Sequence, residues 1–304
     1  MRILVVGAGA IGGYFGGRLL AAGRDVTFLV RPRRAAELAR TGLIVRSKLG
    51  DVDIASPPTV GSDAIAGPFD LVLVSCKAFD LAAAMDAFAS AVGPGTMILP
   101  LLNGMAHLDA LAARFGTGAV LGGQCAVSLT LDPEGRILHL NDTCGLSYGE
   151  LDGTNTSRLA AVAEAFAGPG SGGPTESIKQ EMWEKWVFIA TAAGITCLMR
   201  AAVGDIVAAG AADRAVALLD EISAIAAGQG FAPRSVAAQR ARTMLTAAGS
   251  PFTASMLRDV ENGRAIEADH VLGDLLKRAG AKPTPMLSLA HAHLKAYEAR
   301  RARQ

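Results

Sequence analysis

The stretch Ile-Leu-Val-Val-Gly-Ala-Gly-Ala-Ile-Gly at residues 3–12 decides how the fold begins. A run of branched apolar residues, typical of a buried strand, leads into Gly7, Gly9 and Gly12, and a helical pattern over residues 10–22 follows. In this spacing Gly7 permits a tight turn, Gly9 lets the backbone approach a pyrophosphate, and Gly12 lets the helix pack closely on the strand. The pyrophosphate would face N–H groups at the positive end of that helix. The pattern therefore predicts a dinucleotide site formed by Gly7, Ala8, Gly9, Ala10, Ile11 and Gly12.

Length and composition narrow the class of protein. The 304 residues suffice for two ordinary domains, and a formal net charge of +1 argues against a nucleic-acid-binding protein. The four cysteines form no CxxC pair and the five histidines lack metal-ligand spacing, so we predict neither a disulfide framework nor a metal site. The longest uncharged apolar run, residues 186–199, is too short to span a bilayer, and no export signal is recognisable. We therefore expect a cytoplasmic protein with no membrane partner.

Strand-like and helix-like segments alternate through the first half of the chain. Strands are predicted at residues 2–6, 25–30, 71–76 and 97–102, with an alanine-rich helix over residues 81–91. This alternation indicates right-handed crossovers and an α/β Rossmann domain with a doubly wound parallel sheet. Residues 119–148 change character, because two alternating runs flank Asp132-Pro133-Glu134-Gly135. We expect a β-hairpin there, added to the edge of the sheet.

The second half is predicted to be helical. Gly168-Pro169-Gly170-Ser171-Gly172-Gly173-Pro174 reads as a loop and a domain boundary. Beyond it, apolar residues recur at helical spacing in 181–199, 213–227, 234–248, 253–260, 264–279 and 286–300. We therefore expect a dinucleotide-binding Rossmann domain over residues 1–170 and an all-α domain over residues 175–304. The amphipathic faces of its helices could be covered within the domain or across a homodimer.

Arg31 indicates which dinucleotide binds. It follows the second predicted strand, at the position that meets the adenine ribose in a Rossmann unit. An acidic residue there would select NAD, whereas a guanidinium forms bidentate bonds to a 2′-phosphate. Arg33 and Arg34 add positive potential nearby. The sequence predicts NADP(H), with a solvated charged loop as the structural alternative.

Two polar residues are expected at the same edge of the sheet. Lys77 follows the third of the predicted strands and Asn103 follows the fourth. Doubly wound sheets bind ligands outside the carboxyl ends of their strands. Lys77 could hold the cofactor or a substrate carboxylate, and the amide of Asn103 suits a nicotinamide or a polar substrate group. Each residue could equally cap the end of its strand.

Lys185 is the candidate proton donor. It immediately precedes the nearly all-apolar stretch of residues 186–199, so its ammonium is expected at a partly desolvated edge. Desolvation favours the neutral amine, and a lysine in that setting can give its proton to a developing alkoxide. The structural alternative is a solvated position on the surface of a helix.

The order and spacing of these motifs resemble those of the ketopantoate reductases (2-dehydropantoate 2-reductases) over essentially the whole chain. The resemblance is carried by Gly7-Ala8-Gly9-Ala10-Ile11-Gly12, Arg31, Ser75-Cys76-Lys77, Leu102-Asn103-Gly104-Met105, Glu181-Met182-Trp183-Glu184-Lys185 and Ser255-Met256-Leu257-Arg258-Asp259 followed by Glu267. It implies an N-terminal Rossmann domain and an all-α C-terminal domain of the 6-phosphogluconate dehydrogenase C-terminal-like type, enclosing a cleft.

The resemblance also implies an activity: NADPH-dependent reduction of a small-molecule 2-oxo acid to a 2-hydroxy acid. Ketopantoate would be the first candidate substrate, as in pantothenate biosynthesis. Lys185 and Glu267 would be the catalytic residues, with Lys185 donating the proton and Glu267 holding its ammonium. Asn103 would contact nicotinamide or substrate, Lys77 cofactor or substrate, and Ser255 substrate. Ser255 as a helix cap and Glu267 as a solvated residue are the structural alternatives.

The chain departs from the family pattern at the substrate end. Family members carry asparagines four and eight residues after the lysine, where this chain has Ile189 and Ala193, and Phe252 replaces a residue that is often polar. A substrate hydroxyl buried without a partner costs about 1–3 kcal/mol. Either other residues replace the asparagines, or the substrate is a more apolar 2-oxo acid. A hydroxyacid dehydrogenase working in the oxidising direction and a non-catalytic NADPH-binding regulatory module are the remaining alternatives.

Overall fold

A computed structural model describes residues 1–168 and 171–303. Within these ranges the chain forms β-strands and α-helices that we number in chain order. The strands are β1 (Arg2–Val6), β2 (Asp25–Leu29), β3 (Leu43–Arg46), β4 (Val52–Ile54), β5 (Thr59–Val60), β6 (Leu71–Val74), β7 (Met97–Pro100), β8 (Leu121–Ala126), β9 (Leu129–Leu131), β10 (Ile137–His139), β11 (Gly145–Glu150) and β12 (Ser171–Pro174). The helices are α1 (Ala10–Ala21), α2 (Pro32–Thr41), α3 (Leu81–Phe88), α4 (Ala106–Phe115), α5 (Ser157–Phe166), α6 (Ile178–Met199), α7 (Val203–Ala208), α8 (Ala212–Gly228), α9 (Ser235–Leu245), α10 (Ser255–Glu261), α11 (Asp274–Ala279) and α12 (Pro285–Arg301).

The chain folds into two units, each with its own packed interior. The N-terminal unit comprises residues 1–102 and 107–178, and the helical unit comprises residues 103–106 and the chain from residue 179 onward. The domain bounds predicted from sequence, 1–170 and 175–304, stay a prediction.

The N-terminal unit is built on a five-stranded parallel sheet in the order β5-β2-β1-β6-β7. This order confirms the predicted Rossmann fold. Val6 pairs with Leu29 on one side and with Val74 on the other, and Val74 pairs with Pro100. These four strands therefore end in one row, and the residues that follow them emerge at the same edge of the sheet.

Helix α1 packs on this sheet through its glycines. A Cβ on Gly12 would lie 2.2 Å from both the carbonyl oxygen of Gly7 and Oγ of Ser75. A Cβ on Gly16 would lie 2.6 Å from the ring of Phe28. Tyr14 on the same helix is fully buried. The missing side chains thus let the helix approach the strands more closely than any other residue type would allow.

The hairpin predicted around residues 132–135 forms, but its predicted place in the fold was wrong. Strands β9 and β10 pair antiparallel on either side of the turn. They belong to a separate four-stranded sheet in the order β4-β3-β10-β9, in which Ile137 pairs with Val45. The buried side chains of β3 offer β10 an apolar partner far away in sequence, which a local pattern does not reveal.

The glycine-rich segment predicted as a loop is in part a strand. Residues 171–174 form β12, which pairs in parallel with β11 beside β8. Gly172 has φ +117°, and a Cβ there would lie 2.2 Å from the carbonyl oxygen of Leu146. A segment that pairs this closely needs glycine, the residue that local propensity assigns to loops. Pro169 and Gly170 lie outside the described residues.

The prediction of an all-helical second half is confirmed. Helices α6 to α12 lie in the predicted apolar segments, except α7, which the sequence did not predict. A π-helical turn at Asp269–Gly273 leads into α11. No described helix is long and apolar enough to cross a membrane.

Two contacts anchor the first turns of α6. The Glu184 carboxylate accepts bonds from Arg234: from Nε at 2.7 Å, from Nη2 at 2.7 Å and from the backbone N–H at 2.9 Å. Burial would raise the pKa of Glu184, but these bonds outweigh it and lower the pKa. Trp186 Nε1–H donates to the carbonyl of Val271 at 2.9 Å.

We expect Gly12→Ala to lower the free energy of unfolding of the N-terminal unit by about 1–3 kcal/mol, because the new methyl group overpacks against backbone. Gly9→Ala is the matched control, since a Cβ on Gly9 would have no heavy atom within 4 Å. Thermal and denaturant unfolding of the two variants measure the difference. Equal stability of the two variants would contradict this account of how α1 packs.

We expect Glu184→Gln to lower the free energy of unfolding by about 1.5–3 kcal/mol at pH 7, because hydrogen bonds to a charged group are lost. Since the folded pKa of Glu184 is lowered, its contribution is complete above the usual value of 4.5 and is lost as the pH falls through the folded pKa. The difference between wild type and variant should therefore shrink below about pH 4. Denaturant unfolding at pH 7 and below about pH 4 measures this difference. Glu261 is exposed, so Glu261→Gln serves as the control.

Candidate active site

The loop between β1 and α1 forms the first part of the site. Gly7 has φ +91°, which only glycine adopts readily, and its N–H donates to the carbonyl of Leu29 at 3.0 Å. Gly9 is the N-cap of α1, and a Cβ there would point into open space. The first N–H groups of α1 have no partner within the helix. The loop therefore fits a pyrophosphate, which would need both the open approach at Gly9 and these donors.

Ser75 supports this loop, although no role of its own was predicted for it. Its Oγ donates to the carbonyl of Val6 at 3.0 Å, and the same oxygen lies over the position of the missing Cβ of Gly12. A hydroxyl directly after β6 was the available signal. Ser75 thus ties the end of β6 to the end of β1.

Arg31 lies where the sequence predicted, but it already has a partner. It is the N-cap of α2, its side chain is 74% exposed, and its Nη2 lies 2.5 Å from Oδ1 of Asp80. The hydrogen bond to this carboxylate raises the pKa of the guanidinium. Asp80 follows β6 by a short turn and carried no motif, so the sequence did not reveal it. A 2′-phosphate at Arg31 would compete with the Asp80 carboxylate.

Two of the three arginines that were expected to create a positive potential, Arg31 and Arg34, each pair with a carboxylate. Arg34 Nε donates to the carbonyl of Ala8 at 3.1 Å, and its Nη1 lies 2.9 Å from the Glu37 carboxylate. Arg34 therefore supports the glycine loop and has its charge compensated. Arg33 is exposed.

Lys77 completes the part of the site in the N-terminal unit. Its side chain is exposed, and its carbonyl accepts the N–H of Asp80 at 2.9 Å. The structure thus brings the glycine loop and Ser75 together at the carboxyl edge of the sheet, and links Lys77 to Arg31 through Asp80.

Asn103 belongs to the helical unit, although it follows strand β7. It is half-buried, and its backbone carbonyl lies 2.6 Å from Nε2 of His270. Gly104 has φ +78°, and a Cβ there would lie 3.1–3.2 Å from atoms of His270. Neither the resemblance nor the histidine spacing had assigned a role to His270.

Lys185 lies half-buried on α6. The residues on either side of it are both fixed, Glu184 by Arg234 and Trp186 by the carbonyl of Val271. Within the described residues, the side chain of Lys185 makes no hydrogen bond or ion pair. Its backbone position is therefore set by its neighbours, while its ammonium remains available to a ligand.

The helix face that continues from Lys185 is apolar. Ile189 is half-buried and Ala193 is buried. Phe188 packs against Phe252 with ring centroids 5.7 Å apart, and both rings are half-buried. The aromatic pair beside Lys185 was not recognised from sequence, although Phe252 had been noted as a departure from the family pattern.

Ser255 and Glu267 occupy different positions in the helical unit. Ser255 is exposed and is the first residue of α10, whose N-cap is Ala254, so it is not the cap that the structural alternative supposed. Glu267 is half-buried, two residues before the π-helical turn, which argues against a fully solvated position. Their roles toward substrate and Lys185 stay predictions. Within residues 1–168 and 171–303, no group of three or more potential ligand side chains could hold a metal ion.

The two units therefore carry complementary chemistry. The N-terminal unit presents a glycine loop at a helix N-terminus and, after β2, the guanidinium of Arg31, which suit a dinucleotide. The helical unit presents an amide residue, Asn103, and a lysine ammonium with an apolar surface next to it. Such a lysine can protonate an oxyanion that forms during a reduction.

Comparison with known proteins gives matches along most of the chain. Residues 3–153 match the family described as "Ketopantoate reductase PanE/ApbA", and residues 177–298 match "Ketopantoate reductase PanE/ApbA C terminal". An uncharacterized oxidoreductase of Bacillus subtilis, YkpB, is 37% identical over 98% of this chain and 99% of its own. A 2-dehydropantoate 2-reductase of Mesorhizobium japonicum is 27% identical over 94% of each chain.

A solved structure agrees with these matches. The crystal structure of a 2-dehydropantoate 2-reductase from Geobacter metallireducens aligns with a TM-score of 0.88 at 28% identity, over 97% of this chain and 99% of that one. The chain is thus an oxidoreductase and belongs to the ketopantoate reductase family.

Proposed function

We propose that this protein uses NADPH to reduce a 2-oxo acid to a 2-hydroxy acid. The observation that carries the proposal is Lys185, a half-buried lysine fixed by both of its neighbours and making no ion pair within the described chain. The glycine loop and Arg31 in the other unit supply the features that a nicotinamide dinucleotide phosphate needs. Membership of the ketopantoate reductase family supports this chemistry.

In this proposal the chain positions the substrate and moves a proton. The nicotinamide, when bound, supplies the hydride to the ketone carbon. Lys185 Nζ polarises the ketone and donates a proton to its oxygen as negative charge develops there. Glu267 would hold the ammonium, Ser255 would contact the substrate, and Asn103 would bind the carboxamide or the substrate.

The choice of NADPH over NADH rests on Arg31. A guanidinium forms two parallel hydrogen bonds to a phosphate oxygen pair, which NADH lacks at the 2′ position. The Asp80 carboxylate holds Arg31 at 2.5 Å and would have to be displaced. Because both side chains are substantially exposed, their pairing is worth at most about 1 kcal/mol. The 2′-phosphate of NADPH can therefore displace Asp80 from Arg31, and this displacement lowers the affinity for NADPH somewhat.

We expect Arg31→Ala to weaken NADPH binding about tenfold or more while changing NADH binding little, since charge-assisted bonds to the phosphate are lost. Asp80→Asn should act in the opposite direction and strengthen NADPH binding about two- to fivefold, because it removes the competing charge. Fluorescence titration with both cofactors measures the four dissociation constants. Equal losses for NADPH and NADH in Arg31→Ala would reject the NADPH assignment.

Ketopantoate is the first candidate substrate, because relatives along the whole chain are 2-dehydropantoate 2-reductases. A second candidate is a 2-oxo acid with a bulky apolar side chain. The half-buried pair of Phe188 and Phe252, together with Ile189, favours it. Such a surface gains free energy by covering apolar groups and offers no side-chain partner to a substrate hydroxyl.

We expect Lys185→Ala to reduce kcat at least about a hundredfold and to leave the dissociation constant of NADPH unchanged, because general acid catalysis contributes about that much. Steady-state NADPH oxidation with a panel of 2-oxo acids, from ketopantoate to branched and aromatic ones, measures it.

The same panel decides between the two candidate substrates. If the substrate is bulky and apolar, Phe252→Ala should raise KM for bulky apolar acids and leave KM for ketopantoate unchanged. A wild-type protein that binds NADPH but turns over no 2-oxo acid would favour a non-catalytic binding module instead.

A further inference from the structure

We infer that His270 is a positioning residue for the proposed reaction: its ring N–H holds the backbone of Asn103 and so sets the Asn103 side chain. The inference rests on the function proposed above and adds a residue to it. The observations that carry it all lie within the helical unit.

The contact between His270 and the loop at Asn103 is direct. A carbonyl oxygen only accepts, so His270 Nε2 carries the proton and donates to the Asn103 carbonyl at 2.6 Å. Gly104 lies against the same ring, where any Cβ would come within 3.2 Å of Nε2. The loop at Gly104 therefore fits closely over the imidazole ring.

His270 is itself held by the π-helical turn of residues 269–273. Asp269 at its start accepts bonds from Lys295 at 2.7 Å and from His291 at 2.9 Å. The hydrogen bond from Lys295, and to a smaller extent the one from His291, lowers the pKa of Asp269. The turn is thus tied to α12, and π-helical turns inside α-helical segments occur frequently at functional sites.

The same turn also holds the helix that carries Lys185. The indole N–H of Trp186 donates to the carbonyl of Val271, the residue after His270. One turn of backbone therefore fixes Asn103 through His270 and fixes the neighbour of Lys185 through Val271. The same turn therefore supports both residues that we expect to contact the substrate, Asn103 and Lys185.

Misplacing a reacting or orienting group by about 1 Å can cost about a hundredfold in rate. Loss of the His270 bond would release the carbonyl of Asn103 but leave Lys185 in place. We therefore expect the damage to appear in kcat and in the KM of the 2-oxo acid.

The test is a double-mutant cycle of His270→Leu and Asn103→Ala, with His270→Gln as the conservative variant. His270→Leu should lower kcat about tenfold or more, whereas His270→Gln, whose amide can donate in place of Nε2–H, should restore most of it. Asn103→Ala keeps the backbone carbonyl and removes the side chain that is being set. In the Asn103→Ala background, His270→Leu should therefore lower kcat less than about twofold further. His293→Leu, on α12, serves as the unaffected control.

Two results would overturn the inference. Full multiplication of the two effects on kcat would show that His270 does not act through Asn103. Amide hydrogen exchange of residues 103–106 gives a readout without turnover: it should be faster in His270→Leu and close to wild type in His270→Gln. Unchanged exchange in His270→Leu rejects the inference whatever the activity, whereas absence of 2-oxo acid reduction by the wild-type protein rejects the proposed function.

Discussion

The close approach of α1 to the ends of β1 and β6 is the constraint on which the N-terminal unit depends. With no side chain at Gly12, the helix can lie where its first N–H groups face outward beside Gly9. Ser75 closes this arrangement from the next strand by donating to the carbonyl of Val6. Any side chain at Gly12 would have to displace backbone, since the Gly7 carbonyl occupies that space. The close packing of α1 at Gly12 is therefore the first requirement for a loop that can bind an anionic cofactor, and the charges of nearby side chains are the second.

In the helical unit the corresponding constraint is the network around the π-helical turn. Bonds from Trp186, Lys295 and His291 reach this turn from two other helices, and His270 reaches out from it to Asn103. Glu184 and Arg234 add a second anchor next to Lys185. A buried indole N–H or carbonyl left without a partner costs free energy, so the buried bond from Trp186 to Val271 stabilises this arrangement. These bonds fix the backbone position of Lys185, although the side chain of Lys185 makes none of them.

The motifs identified the family and the parallel sheet correctly, because glycine spacing and the periodicity of apolar residues are local features. They did not reveal partners that lie far away in sequence. Arg31 pairs with Asp80, 49 residues later, and its bond to a phosphate stays a prediction. Arg34 was expected to add to the same positive potential, but it supports Ala8. The pair of Phe188 and Phe252 was also missed, because one helix face does not reveal what packs on it.

The sequence by itself determined the alternation of strands and helices, the parallel sheet, the glycine loop and the helical second half. Each of these follows from the periodicity of apolar residues or from the conformational range of glycine, which act over a few neighbouring residues. Only the tertiary structure decided that the hairpin of β9 and β10 joins β3, that residues 171–174 form a strand, and that His270 binds the carbonyl of Asn103, 167 residues earlier. These pairings depend on which strand edges and hydrogen-bond donors meet in the folded chain. A hydrogen bond needs two partners, and the local sequence around one partner does not show which distant residue the other will be.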